Sequence, residues 1–403
     1  MRRRGAWLAL AVLLPLPAAA QRITADWGLQ GIPLLTQTNV VPGGHSLGEA
    51  RIVQPIAMLD LGAWGGRARL RATIDFEKWT IPHGELTPGA WGEGFVDRRH
   101  PHTIVHELML ELPDLLGRDA PVHVFLAGGK GFVPFGTDDP MGRPIVRFPV
   151  NHHLSQILER AVAMAGVRRG RLALEAALFN GDEPISPGSW PVWKRFGDSW
   201  AGRLTAEPLA GLEAQVSLAR VKSPENRPGA GLNDAKTNVS LRWESGRVYG
   251  LVEWSRTNEG DGTNVFHSTL AEGSVRTGIL TPYLRFERTE RPEEQRTFES
   301  LFRTVLPVFE NSLLGITRWT IATAGGQLAV INSHGARVTP FAEVSYLGIA
   351  RVGGGVFDPA SFYGRTHGYS LSVGVRMGYG MTMHRMGRYG RSDSMPMPME
   401  MGR

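Results

Sequence analysis

Seven of the twelve histidines lie between His83 and His153, and the densest run is Asp97-Arg-Arg-His-Pro-His-Thr-Ile-Val-His-Glu107. His102 and His106, four apart, would share one face of a helix; on a strand His100, His102 and His106 would fall on one side. Imidazole nitrogens with a carboxylate such as Glu107 suit Zn²⁺ or Cu²⁺, and His152-His153 offer two further nitrogens. The competing reading is a set of polar side chains hydrogen-bonded to carboxylates. A second donor set is at the C-terminus, where eight of thirteen methionines fall between Met377 and Met401. Thioethers are soft ligands that favour Cu(I). Met381, Met383 and Met386 flank His384, and Met395, Met397, Met399 and Met401 alternate with proline and glutamate. Such Pro-interrupted alternation cannot build a core, so a disordered tail is expected from 380 to 403. Copper is the cofactor these donors would suit.

Nucleophile and phosphate chemistry is poorly provided for. Gly44-His-Ser-Leu-Gly48 has the G-x-S-x-G spacing, but the motif works on a turn between a strand and a helix. Pro42-Gly43 before it and Glu49–Gln54 after it do not supply that context. His106-Glu107-Leu-Met-Leu110 has leucine where a zincin needs its second histidine. Gly128-Gly-Lys-Gly131 lacks the spacing of a phosphate-binding loop and is expected to be a turn. There is no cysteine, which excludes thiolate sites and disulfides. The chain therefore reads as a non-enzyme.

The elements that must position these groups read in steps of two. Arg2–Arg4, the apolar run Trp7–Leu16 and Ala18-Ala-Ala20 form an export signal over residues 1–20. Without its three arginines the formal charge falls from +6 to +3, which is no nucleic-acid signature. In Arg67–Phe76 polar residues take the odd positions and apolar ones the even, the pattern of a strand with one face in each environment. The alternation recurs at Arg171–Leu178, Leu212–Leu218, Val239/Leu241/Trp243, Val248–Trp254, Tyr283–Arg288, Phe341–Tyr346 and Ser370–Met377. Glu244-Ser-Gly-Arg247 is a hairpin turn. Longer connections are expected at Lys222–Lys236, Ser255–Asn264, Thr289–Arg296 and Gly353–Thr366. Leu154–Ala161 reads as a short helix or irregular lead-in, followed by a hairpin about Arg168-Arg-Gly170.

Charge on the polar face (Arg69, Arg71, Glu175, Arg242) and aromatic residues at segment ends (Trp79, Trp243, Trp254, Tyr346, Tyr379) favour a transmembrane antiparallel β-barrel of the outer-membrane type. About 14–16 strands fit the length at typical strand lengths. The expected plan is a lead-in segment over 21–55, the barrel over 56–379 and the tail. Outer-membrane lipid, small solutes or metal ions, and further copies of the chain are the expected partners. The favoured reading links the barrel to copper or heavy-metal handling; the alternatives are a general porin for small-solute passage and a secreted soluble β-protein that binds ligand.

Asp97-Arg-Arg-His-Pro-His102 resembles the "DRQHPHD" box of a family of uncharacterised bacterial outer-membrane, porin-like proteins often associated with copper and heavy-metal resistance. In the same order come Gly136, Asp139-Pro140, Asn151-His-His153, Phe179-Asn180-Gly181-Asp182-Glu183-Pro184, Asp198-Ser-Trp200, Arg203-Leu204 and Ser223-Pro-Glu225. The likeness spans Trp91 to Glu225, with Asp97, Pro101, Asn180, Gly181, Glu183 and Pro184 carrying its motifs. Thr103 stands where the family has an acid, and Asp182 where it has arginine. The resemblance implies an outer-membrane location and a metal link, with no mechanism to transfer.

Overall fold

The computed structural model describes residues 23–41, 43–80, 102–117, 119–145, 147, 149–150, 152–184, 186–222, 231–294 and 313–390. The export signal, Asp97, His100, Pro101 and the four methionines from Met395 to Met401 lie outside them.

Strands β1 (Thr24–Thr38), β2 (Leu47–Ala63), β3 (Ala68–Asp75), β4 (Val105–Leu112), β5 (His123–Gly131), β6 (Arg160–Arg169), β7 (Leu172–Phe179) and β8 (Ser199–Leu209) form the first half of one sheet. The second half is β9 (Leu212–Val221), β10 (Asp234–Ser245), β11 (Val248–Glu259), β12 (Asn264–Val275), β13 (Leu280–Glu294), β14 (Leu313–Leu328), β16 (Ala336–Gly355) and β17 (His367–Gly380). The three-residue strand β15 (Ile331–Ser333) pairs with β16 alone and only extends that hairpin. Every neighbour is antiparallel, and β1 pairs with both β2 and β17. The sheet closes into a sixteen-stranded barrel through the β1–β17 pairing, so each of its sixteen strands has a neighbour on both sides.

Two adjacent rows show why these sequences make a wall with unlike faces. Leu174, Leu204, Val216, Val239 and Trp254 lie side by side across β7 to β11, and all are exposed. One position along, Glu175, Arg203, Ser217, Asn238 and Ser255 form the next row, and all are buried. A one-residue slip would exchange the rows and put charge on the apolar outside, so the register is strongly specified.

Connections are short at the end of the barrel where β1 begins and β17 ends, as at Arg169–Leu172, Leu209–Leu212 and Ser245–Val248. They are longer at the other end. Among the described residues the α-helices are short: α1 (Glu77–Thr80), α2 (His152–Ser155), within the β5–β6 connection, and α3 (Pro359–Tyr363). Gly246, at φ +56, makes the tight hairpin expected at Glu244–Arg247.

Several expectations need correction. The lead-in over 21–55 is wall: it supplies β1 and the start of β2. Pro33, and apolar residues on both faces (Ile32 and Leu34 inward, Leu35 outward), hide the period of two. Gly128–Gly131 is the end of β5, not a turn. A Cβ at Gly129 would strike the Leu108 carbonyl of β4, so glycine here permits close strand approach. The connection expected at Ser255–Asn264 shrinks to residues 260–263, and β13 continues through residues expected to be loop. Residues 381–390 belong to no disordered tail, because they pack inside the barrel.

Candidate functional site

The interior is filled by two segments. The first is the β5–β6 connection, residues 132–159, which crosses from wall to wall. Gly136 donates its N–H to Ser217 of β9, and its carbonyl accepts from Arg203 of β8. Thr137 Oγ1 lies 2.7 Å from both Ser240 of β10 and Glu253 of β11. Arg147 reaches Glu343 of β16 at 2.8 Å, and Glu287 of β13 accepts from the Val150 N–H. Arg285 of β13 donates to the carbonyls of Ile145 and Arg147.

The second is the stretch after β17. Met381 donates to the Trp27 carbonyl at the short-turn end, and the chain then turns across the lumen. Arg385 holds Glu213 of β9 through two bonds of 2.9 and 3.0 Å and Asp138 at 3.0 Å. Arg388 donates to the same Glu213 at 2.7 Å, to Thr205 and to the Thr137 carbonyl. Arg71 of β3 and Arg203 of β8 bind the carbonyls of Arg388 and Gly387. Tyr389 donates to Glu107 at 2.7 Å while accepting the Phe132 N–H, and His384 Nε2 lies 3.0 Å from the other Glu107 oxygen.

Asp138 lies where the segments cross, with Arg143, Arg242 and Arg385 around it. Its burial would raise its pKa, but these guanidinium groups hold it well below the usual carboxylate range. Burial lowers the Arg388 pKa to about 10, and the nearby Arg203 charge works the same way. Among the described residues, inward-facing side chains are buried on every strand of the wall, from Thr36 and Arg71 round to Glu343 and Ser372. Met383, Met386 and Tyr389 join Phe132, Phe135 and Met141 in an apolar cluster within the lumen. The barrel interior is thus a packed core bound to its wall by arginine–carboxylate pairs.

The histidines part company. His102 and His106 come together, ring centres 4.5 Å apart, beneath the long-loop end. His106 Nδ1 lies 2.7 Å from Glu159, and His102 Nδ1 lies 3.4 Å from Asp75 and 3.9 Å from Glu77. Asp75, His102 and His106 can each offer a ligand atom within 4.8 Å of the others, and all three are buried. His106 and Glu107 both point inward because the β3–β4 register shifts between Thr73 and Ile74. Glu159 sits in the left-handed backbone region at φ 59, which costs roughly 1–3 kcal/mol and occurs where surroundings fix the conformation. Burial disfavours its ionised form, yet the His106 hydrogen bond and the Lys130 charge bring its pKa down to about 2.

Other expected donors go elsewhere. Glu107 serves His384 and Tyr389. The helix carrying His152 and His153 packs against β11 and β12, far round the wall from β3 and β4. Met383 and Met386 are in the apolar cluster, and Met381 packs against it. Asp75, Glu77, Asp138, Glu159 and Glu213 were not singled out in the sequence. Each becomes visible only when the closed sheet and its lumenal segments bring distant stretches together.

The motif residues of the third quarter of the resemblance turn the chain after β7. Asn180 accepts the Ala161 N–H and donates to the Asp182 carbonyl, and Gly181 donates to Asp198. A Cβ at Gly181 would strike the Lys222 carbonyl. Glu183 pairs with Arg160 at 2.8 Å. His102, Glu159, Arg160, Glu183 and Pro184 line one cavity, so the histidine run and this turn face each other.

No protein-family model matches the chain, and no curated protein sequence is significantly similar to it. Solved structures do share its architecture. The anion-selective porin from Comamonas acidovorans superposes with a TM-score of 0.50 at 10% identity, over 90% of this chain and 100% of that one. OmpT, an outer membrane protein of Vibrio cholerae in its trimer form, gives 0.50 at 11% identity over 89% and 99%. The loop L8 deletion mutant of that OmpT gives 0.51 at 12% identity over the same shares. At such identity the likeness is one of fold: this chain has the closed β-barrel fold found in outer-membrane porins.

Proposed function

We propose that this chain is a porin-like outer-membrane protein, exported by its N-terminal signal, whose passage is controlled by the two segments packed in its lumen. The observation that carries the reading is the contrast between its faces. Exposed Leu, Val and Trp side chains on the outside suit lipid and speak against the soluble alternative, while the inside is charged and hydrogen-bonded. Because the lumen is filled, the native barrel conducts small ions weakly. Reconstitution in a planar bilayer tests this. The full chain should give a small, rarely open conductance, and a chain ending at Gly380 a larger and more persistent one. Equal conductance of the two would refute control by the segment. The barrel itself is checked by faster migration of unheated protein in a detergent gel.

We further propose that the protein serves copper or heavy-metal handling, supported by the two buried imidazoles beside Asp75 and by the resemblance of the Asp97–His102 run. Cells lacking the chain should be more sensitive to added copper, and unchanged sensitivity would remove this part. Passage of small solutes without a metal role is the second reading. It is favoured by Met383 and Met386, whose thioethers are packed in the apolar cluster rather than presented as ligands. The trimeric neighbour suggests a homo-oligomer, which crosslinking in detergent would detect.

A further inference from the structure

We infer that Asp75, His102 and His106 form a site for one divalent transition-metal ion of the zinc class, closed from behind by the end of the lumenal segment. The inference deepens the metal part of the proposed function and stands whether or not the pore conducts.

The donor arrangement carries it. The Glu159 carboxylate fixes the His106 ring through Nδ1, so the tautomer that donates there leaves Nε2 with a free lone pair. A carboxylate behind a ligating imidazole is the usual second partner in metal sites, because it orients the ring and raises its basicity. His106 Nε2 is buried and has no hydrogen-bond partner in the structure. Asp75 spends Oδ1 on the Glu77 N–H, while its Oδ2, also buried and without a hydrogen bond, faces His102. Asp139, fully buried, also has an oxygen without a hydrogen bond, and burial raises its pKa. Buried polar atoms of this kind call for a partner, since each left unmet costs about 1–3 kcal/mol.

Ion choice follows from the donors. Two imidazole nitrogens and one carboxylate oxygen suit Zn²⁺, Co²⁺ or Cu²⁺, whereas Ca²⁺ and Mg²⁺ prefer all-oxygen shells. Three protein ligands leave a position open. A small cavity bounded by His102, Glu159, Glu183 and Pro184 lies beside His102, with space for about one water. The competing account is a pair of histidines held by carboxylates alone, and it predicts no stoichiometric ion.

The test uses the full chain, folded in detergent and stripped with a chelator. Titration with Zn²⁺ by calorimetry should give one ion per chain, and Co²⁺ should give the visible absorption of a low-coordinate site. His106→Gln and Asp75→Asn should abolish both signals. Glu159→Gln should keep the stoichiometry and weaken affinity by about 10–100-fold. His123→Gln, at a histidine paired with Asp114 near a short turn, should change nothing. Absence of stoichiometric uptake by the folded native chain would overturn the site, as would uptake surviving in folded His106→Gln. Should the variants fail to fold, Cu²⁺ bound to the native chain still decides. Its paramagnetic resonance must show coupling to two nitrogens, and a spectrum without nitrogen coupling refutes the assignment. Loss of the ion with conductance unchanged removes this site and leaves the channel reading intact.

Discussion

Glu213→Gln is the most informative single change to the lumenal closure. Glu213 is buried and accepts three hydrogen bonds, two from Arg385 and one from Arg388. The amide keeps the shape and removes the charge. Arg385 would retain Asp138, but Arg388 would keep only Thr205, the Thr137 carbonyl and a carboxylate of Glu175 at 3.9 Å. Arg388 is already a strained cation, its pKa depressed by burial and by Arg203. Breaking a buried pair by removing one partner costs about 3–5 kcal/mol, since a charge is left uncompensated. Backbone pairing of β9 with β10 runs through Glu213 opposite Arg242, so the cost falls chiefly on docking of residues 381–390. At 1.4 kcal/mol per tenfold, the undocked population rises by about 10² to a few times 10³. Trypsin reads this directly, because Arg385 and Arg388 are cleavable only when the segment leaves the lumen. Cleavage then tracks the open population when closing is fast. Native protein should resist cleavage at both arginines. Glu213→Gln should release the C-terminal peptide while unheated gel mobility stays that of a folded barrel. The control is Glu207→Gln, which removes the partner of Arg168 at a short turn where both side chains are partly in solvent; such pairs contribute about 0–1 kcal/mol. Equal cleavage at Arg385 in native protein and folded Glu213→Gln would refute the assignment of Glu213 as the lock.

Three further outcomes follow from the same contacts. Asp138 has a folded pKa held below its ordinary value of 3.8, so its ionised form stabilises docking above that value and the contribution fades as pH falls below it. Bilayer conductance should therefore be flat from pH 7 to about 5 and rise only under strong acid; opening near pH 6 would refute Asp138 as the lock. Gly136→Ala forces a side chain into the left-handed region at φ +75 and against the Ser155 carbonyl. It should cost more than the ~1 kcal/mol of lost glycine freedom in urea unfolding, whereas Gly188→Ala, in open space, should be neutral. Val239→Arg places charge midway along the outward face of β10 and should cost about 2–4 kcal/mol in lipid, falling to about 0–1 for Val248→Arg beside the turn; equal costs at the two depths would contradict a lipid-facing wall.

How much of this was legible depended on whether the cause was local. Alternation in Arg67–Phe76 and Leu212–Leu218 is a local consequence of a wall with two environments, and it predicts both the barrel and its inward charges. The Gly246 turn is equally local. β1 was hidden because Pro33 and neighbouring apolar residues blur the period where the strand packs against Val53 and Phe341. The C-terminal segment misled for a related reason. Gly387, Arg388 and Gly390 look like solvent-loving residues, yet Arg388 is fully buried because Glu213 lies 175 residues away in sequence and next to it in space. Composition cannot reveal a partner at that distance. His102 and His106 were visible as a candidate pair, but Asp75 and Glu159 join them only through strand pairing and the returning end of the lumenal segment.

On the proposed reading, the arginine–carboxylate pairs in the interior differ from an apolar filling in how they can be released. An apolar filling would seal the barrel permanently, because no water could replace its contacts. If the C-terminal segment undocked, as proposed, water could replace its charged contacts to Glu213, Asp138 and Arg203. Undocking therefore exchanges one satisfied set of polar groups for another, and the free-energy gap is set by a few named pairs instead of by the whole core. The apolar cluster of Met383, Met386 and Tyr389 supplies the opposing term, since its release exposes thioethers and a ring to water. On the proposed reading the barrel is held shut by that free-energy gap, to which the contacts of residues 381–390 contribute beside those of the β5–β6 connection.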